Sequence, residues 1–264
     1  MLLTLLMAGL LSSGNLPGTA IIAHRGASFD APENTVAALR LGYEQGADAA
    51  ECDVHLSQDG RIVVIHDEDT ARVAGRKLAV SAQSADALQQ LDASQWGKWK
   101  GSKFSGKIPL LAEALAVVPA GKRLFVEIKS GGAMLAELAR VIRASRLAPE
   151  QLPLITFDLP TARETKRLLA AHEVCWIVDH PKMGRGPDVT DLIQTAKEAG
   201  LNGLDLNFRF PIDSTFVKRV HAAGLKLYVW TVDDPVTARA QAAAGVDGLT
   251  TNRPQWLRQQ LATP

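Results

Sequence analysis

The segment AAECDVHLSQDGRIVVIH, residues 49–66, decides the fold. It contains two β-patterned runs, AAECDVHL (49–56) and RIVVIH (61–66), joined by Ser57-Gln58-Asp59-Gly60. That link is far too short for a parallel crossover, which needs about a dozen residues or more, so the two runs form an antiparallel hairpin. With Gln58 and Asp59 as the two central turn residues, Ser57 pairs with Gly60 and Asp53 with Val64. Glu51 then faces His66 on the same side of the hairpin. A slip of one residue would send His66 to the other face.

Outside this hairpin, apolar runs rich in β-branched residues alternate with helical patterns. The runs are IIAHR (21–25), RLFVEIK (123–129), LPLITF (152–157), VCWIVD (174–179), GLDLNF (203–208), KLYVWTV (226–232) and DGLTTN (247–252). Helix signals lie between most of them: Pro32 and Glu33 open one that Gly46 closes, and Pro235 opens one that ends at Gly245. Strand and helix in alternation predict a parallel sheet with helices outside. Setting the antiparallel hairpin strand aside leaves eight parallel strands, the number that closes a (β/α)8 barrel. A doubly wound open sheet is the alternative, but no Gly-rich dinucleotide loop follows the first strand. Residues 68–110 hold no strong strand yet contain Leu88, Leu91, Trp96, Trp99 and Phe104. They read as a small insertion packed over one end of a single barrel domain spanning residues 21–264.

Composition narrows the function classes. The chain has 264 residues, 47% of them hydrophobic, enough for a full core. Lys and Arg number 29 against 28 Asp and Glu, a balance with no electrostatic footprint for nucleic acid or an anionic membrane. Cys52 and Cys175, the two cysteines, sit in apolar runs as small buried hydrophobes. Residues 1–20, MLLTLLMAGLLSSGNLPGTA, carry an apolar stretch of signal-peptide length, too short to span a bilayer. No Lys or Arg precedes Arg25, so a secreted or periplasmic protein competes with a cytoplasmic one whose first helix closes one end of the barrel.

The chemistry lies in the ionisable residues inside strands. Side chains at alternate strand positions share a face, so Glu51, Asp53 and His55 point one way while Cys52, Val54 and Leu56 point the other. The apolar set meets the helices, which turns the acidic set toward the barrel axis. Carboxylates held that close repel unless a cation or a shared proton lies between them, and hard oxygen donors suit Mg2+ or Ca2+. A solvent-facing edge would explain them without a ligand, but a closed barrel has no edges. In RLFVEIK, Phe125, Glu127 and Lys129 share a face, with Glu127 and Lys129 at the strand's C-terminal end, the catalytic mouth of such barrels. His24 and Arg25 close the first strand just before Gly26. Three carboxylates to hold a cation, an Arg and a Lys to neutralise an anion, and two imidazoles to move protons together suit an anionic phosphodiester.

The strings IIAHRGASFDAPENT, AECDVHLSQDGRIVVIHD and VEIKS resemble the glycerophosphodiester phosphodiesterase family, and ITFD, GLDLN, YVWTV and DGLTTNRP are similar to its later strands. The likeness covers about residues 20–258. It implies a metal-dependent hydrolase acting on a small-molecule glycerophosphodiester, with glycerol 3-phosphate and an alcohol as products. It also implies His24 and His66 as the acid–base pair, with His24 as base and His66 as acid, roles that exchange if a cyclic phosphate forms. Glu51, Asp53 and Glu127 match the ligands of one divalent cation, and Arg25 and Lys129 the phosphate contacts. Phe157 and Trp230, at strand ends, are expected to pack against the glycerol or head group, or else to belong to the core. Glu33 and Asn34 match a family element, although Glu33 equally suits the first turn of a helix. The run after His66-Asp67 departs from the family pattern, which leaves the insertion's substrate contacts open. The rival expectations are a phospholipase D-like activity on lysophospholipids, with the insertion's aromatics taking the acyl chain, and a catalytically silent phosphodiester-binding barrel.

Overall fold

A computed structural model describes residues 18–184 and 186–262. The leader expected over residues 1–20 falls, as far as residue 17, outside the described residues. The β-patterned runs form β1 (Ala20–Ala23), β2 (Ala49–Leu56), β3 (Ile62–Val64), β4 (Arg123–Ile128), β5 (Leu154–Thr156), β6 (Val174–Val178), β7 (Gly203–Asn207), β8 (Lys226–Trp230) and β9 (Gly248–Thr251). Parallel pairing runs β1-β2-β4-β5-β6-β7-β8-β9 and closes from β9 back onto β1. This ring is the expected (β/α)8 barrel. β3 lies outside it, bonded antiparallel to β2.

Period-two alternation sorts the side chains. Cys52 and Val54 of β2, Leu124, Val126 and Ile128 of β4, and Leu227 and Val229 of β8 belong to the buried layer between sheet and helices. Ile22, Phe125, Ile155, Cys175, Ile177 and Tyr228 fill the barrel interior. Both cysteines are buried and unpaired, as their apolar surroundings predict. The helix after β1, α1 (Val36–Glu44), begins four residues later than Pro32 suggests, with Thr35 as N-cap accepting from Ala38 N. Asn34 at φ 57° is left-handed and cannot belong to the first turn. The helix opened by Pro235 runs to Ala244 and ends on left-handed Gly245, as expected. Among the described residues no helix is long and apolar enough to cross a membrane.

The hairpin register differs from the expected one by one residue. Val54 pairs with Val64, His55 with Val63 and Leu56 with Ile62. The link is a three-residue turn, Gln58-Asp59-Gly60, because Ser57 and Arg61 close the ladder through Ser57 N to Arg61 O at 2.9 Å. Gly60 at φ 75° supplies the left-handed residue that such a turn ends on. Glu51 and His66 therefore do not face each other across the sheet. His66 reaches the barrel mouth by another route: β3 stops at Val64, and the chain bends away from the ladder before His66.

The segment after the hairpin carries two short helices, α2 (Ala71–Ala74) and α3 (Ala85–Gln89). Val73, Val80, Ala85, Leu88, Ala93 and Ile108 pack there against Val63 and Ile65. The chain through β3 thus divides alternate residues between two cores: Ile62 and Val64 join the sheet–helix layer, while Val63 and Ile65, the residue after the strand, join this smaller one. From this segment Arg72 reaches the barrel rim, and Lys98 lies over the ring of Phe29 in the loop after β1.

Candidate active site

Parallel strands of a closed barrel finish on one rim, so residues at or just past their C-terminal ends converge. His24 and Arg25 follow β1, Lys129 follows β4, Phe157 follows β5, and Trp230 ends β8. All of these line a single cavity together with Glu51, His66 and Glu127. Asp53 lies beneath it, fully buried and paired in register with Glu127 on the adjoining strand.

Glu51, Asp53 and Glu127 each bring one carboxylate oxygen within 4.8 Å of the other two. Glu51 Oε1 and Asp53 Oδ1 are buried and accept no hydrogen bond. Burial, then repulsion from Asp53 and Glu127, holds the Glu51 carboxyl well above its ordinary range. Burial and the Asp53 charge push Glu127 up to about 7. Asp53 behaves differently: burial opposes its charge, yet Arg25 and Lys129 outweigh it and hold the carboxyl low. Lys129 Nζ lies 2.6 Å from Glu127 Oε1 and 3.3 Å from Asp53 Oδ1, so its ammonium offsets part of the crowding. Buried oxygens with unused lone pairs, facing one another at this spacing, fit a hard divalent cation.

The loop after β1 organises this cluster. Arg25 N donates to Glu51 Oε2 at 2.8 Å, while its guanidinium donates to Glu33 Oε1 and lies 3.3 Å from Asp53 Oδ2. Arg25 at φ 54° and Gly26 at φ 78° make the turn. A side chain at residue 26 would put Cβ 2.3 Å from the Ala38 carbonyl carbon, so only glycine fits. Asn34 grips Asp53 twice, donating from Nδ2 to Oδ2 and accepting from the backbone N–H. Both Glu33 and Asn34 thus hold site residues in place rather than start a helix.

Each imidazole is oriented by a partner. His24 Nδ1 lies 2.7 Å from Asn252 Oδ1, and Asn252 Nδ2 donates to Asp233 Oδ2. With the Asn252 amide nitrogen committed to a carboxylate, its oxygen must face His24. The His24 proton therefore sits on Nδ1 and Nε2 is the free base. Burial, then the Arg25 charge, lowers His24 to about 4, so the ring is neutral at pH 7. His66 Nδ1 lies 2.7 Å from Asp67 Oδ1, and Arg72 Nε donates to Asp67 Oδ2. Arg72 also binds Glu33 through both terminal nitrogens at 2.8 Å, which links the His66 arm to the Arg25 arm. Burial lowers His66 too, with Asp53 opposing and Arg25 and Lys129 adding to the fall. His55 does not enter the cavity; it bonds the His66 carbonyl and Ser130 Oγ.

Phe157 and Trp230 line the same cavity and meet edge to face, ring centres 5.5 Å apart, with Lys129 Nζ 5.7 Å from the Phe157 ring centre. Sequence reasoning missed Asp67, Arg72, Asp205, Asp233 and Asn252. Asp233 and Asn252 follow β8 and β9 and could have been found as polar residues just past barrel strand ends. Asp205 has the same inward phase within β7 as Glu51 has within β2. Arg72 gave no periodic signal, because it comes from the irregular segment.

In sequence and in fold the chain is similar to known phosphodiesterases. Residues 24–256 match the Glycerophosphoryl diester phosphodiesterase family. A glycerophosphodiester phosphodiesterase of Caldanaerobacter subterraneus is 31% identical over 252 residues, covering 90% of this chain and 96% of that protein. A phosphodiesterase of Oleispira antarctica, solved in complex with its product sn-glycerol-3-phosphate, superposes with a TM-score of 0.82 at 27% identity, covering 93% of this chain and 98% of that one. At 22% identity, a Thermotoga maritima glycerophosphodiester phosphodiesterase shares the fold with a TM-score of 0.74, covering 91% of this chain and 97% of its own.

Proposed function

The chain belongs to the glycerophosphoryl diester phosphodiesterase family, and on that premise we propose that it hydrolyses glycerophosphodiesters to glycerol 3-phosphate and an alcohol by metal-assisted His acid–base chemistry. One observation carries the reading. Two imidazoles with Nδ1 committed to fixed partners line one cavity beside a carboxylate cluster in which two buried oxygens, Glu51 Oε1 and Asp53 Oδ1, accept no hydrogen bond.

Arg25 and Lys129 bind the phosphodiester anion, and Glu51, Asp53 and Glu127 would hold the divalent cation, Mg2+ or Ca2+. Such a cation supplies positive charge against the phosphoryl oxygens as they gain negative charge. His24 Nε2, neutral in the free protein, accepts the proton of the attacking hydroxyl. Asn252 and Asp233 keep that nitrogen unprotonated and aimed, and the Asp233 carboxylate, acting through the Asn252 amide, stabilises the ring when it becomes cationic. His66 protonates the leaving alkoxide. Burial holds His66 low in the free protein, with Arg25 and Lys129 adding to the fall; a bound phosphate anion offsets those two charges and so favours the protonated ring. Asp67, clamped by Arg72, orients the ring. Phe157 and Trp230 cover the carbon face of the substrate. Residues 21–264 are read as one barrel domain, with residues 68–110 as an insertion that contributes Arg72.

The test is hydrolysis of glycerophosphocholine and lysophosphatidylcholine, with added Mg2+ or Ca2+ and with a chelator. Release of glycerol 3-phosphate from the former, lost on chelation and lowered about a hundredfold or more by Glu51→Ala, is the expected result. Turnover indifferent to both treatments would remove the metal from the mechanism.

A further inference from the structure

The inward side chains around the cavity divide into two halves. β1, β2 and β4, with the residues that follow them, bring His24, Arg25, Glu51, Glu127 and Lys129. β5, β6 and β8, with the residues that follow them, bring Ile155, Phe157, Ile177, Trp230 and Thr231, and β9 brings Thr250. Asp205 of β7 is the one carboxyl among the described cavity residues on the second half. Its strand partners are Ile177 and Tyr228, both buried in the barrel interior.

A carboxyl in such a place needs a reason. Asp205 is 3% exposed, and its Oδ1 is buried with no hydrogen-bond partner. Other buried acids of this site are bound: Glu33 accepts from Arg25 and Arg72, and Asp53 from Asn34. Asp205 makes no such bond, and its backbone oxygen, not its side chain, receives Trp230 Nε1. It also stands outside the carboxylate cluster that fits a cation. Neither packing nor the cation accounts for it, so its partner comes from the ligand.

Resting on the phosphodiesterase reading, we infer that Asp205 is a specificity-determining residue that hydrogen-bonds a hydroxyl of the substrate's glycerol group. With the phosphate on the charged half of the cavity, the three-carbon polyol extends toward the apolar half. Phe157 and Trp230 can cover its carbons there but cannot replace the water lost by its hydroxyls. Asp205 lies in that half with an oxygen to spare. A site built this way discriminates against phosphodiesters lacking the hydroxyl, because they leave Asp205 unpaired in the complex.

The full chain and its Asp205→Leu and Asp205→Asn variants are compared on glycerophosphocholine and on bis(4-nitrophenyl) phosphate, a diester without a hydroxyl. Asp205→Leu should lower kcat/KM for glycerophosphocholine by about tenfold to a hundredfold, chiefly through KM, and leave the aryl diester within about twofold. Asp205→Asn keeps a donor and an acceptor and should recover most of the loss. In parallel, binding of glycerol 3-phosphate and of methyl phosphate is measured by calorimetry, with only the former weakened in Asp205→Leu. An equal fall for both diesters would mean that Asp205 acts through the acidic cluster, and no change for either would mean no contact; each result overturns the inference. If the unaltered protein turned over neither diester, the phosphodiesterase reading would fail. The paired binding measurements would still decide Asp205, with equal weakening of both phosphates, or of neither, ruling against it.

Discussion

Without a cation, Glu127 carries its charge at a cost that can be measured. Burial, and then the neighbouring Asp53 charge, lifts its carboxyl from an ordinary 4.5 to about 7, even with Lys129 2.6 Å away. Between those two values the folded protein binds more protons than the unfolded chain, so stability falls as pH rises across the window. The contribution is fully present below about pH 4.5 and gone above about pH 7. At about 1.4 kcal/mol for each tenfold change in proton affinity, the loss at alkaline pH is about 3 kcal/mol. Glu127→Gln keeps the shape and removes the charge. In chelator, the variant should exceed the unaltered protein at pH 8 by up to about 3 kcal/mol, or about 6 to 12 °C in midpoint for a chain of this size. Near pH 4.5 the two should coincide. Thermal unfolding from pH 4.5 to 8.5 reads this as a difference between the two proteins, which cancels the opposite trend from His24. Adding Mg2+ or Ca2+ should then raise the unaltered protein more than the variant. A difference curve flat in pH, or a variant less stable at pH 8, would refute the electrostatic account of the cluster.

His24, held at about 4 by burial and Arg25, should remain neutral at pH 5.5. Histidine-ring NMR with a His24→Gln variant to assign the signal reads this directly, and a midpoint near 6.5 would show that the ring is not buried as described. Because that depressed value favours folding above about pH 6.5, stability assigned to His24 should decline as the pH falls from there toward 4. Asn252→Ala removes the acceptor that fixes the His24 tautomer and leaves the Nε2 face untouched. Its kcat should drop by about tenfold to a hundredfold with KM little altered. A rise in KM alone would instead make Asn252 a binding residue.

Several site residues were legible before folding because their positions obey a local rule. Glu51 and Asp53 alternate with Cys52 and Val54, so any structure that buries the cysteine side against helices turns the acids inward. The same period-two rule placed Glu127 and Lys129. His66 was expected at the site by a register that the hairpin does not adopt, yet it lines the cavity because β3 ends early. The error lay in the turn: a three-residue loop with Gly60 left-handed and a two-residue loop are both compatible with SQDG, and the choice depends on hydrogen bonds between Ser57 and Arg61 that no periodicity encodes.

Local physics in the chain therefore determined the architecture. A link too short for a crossover forces a hairpin, alternation selects which side chains face inward, and strand-and-helix repetition closes a barrel with its charged strand ends on one rim. Tertiary structure alone decided how those charges are held. Arg72 is 39 residues from Glu33, and Asn252 is 228 from His24. These contacts arise from barrel closure, which brings β9 beside β1, and from packing of an irregular segment against β3. Their partners meet only when the ring is complete, and sequence spacing carries no signal of that meeting.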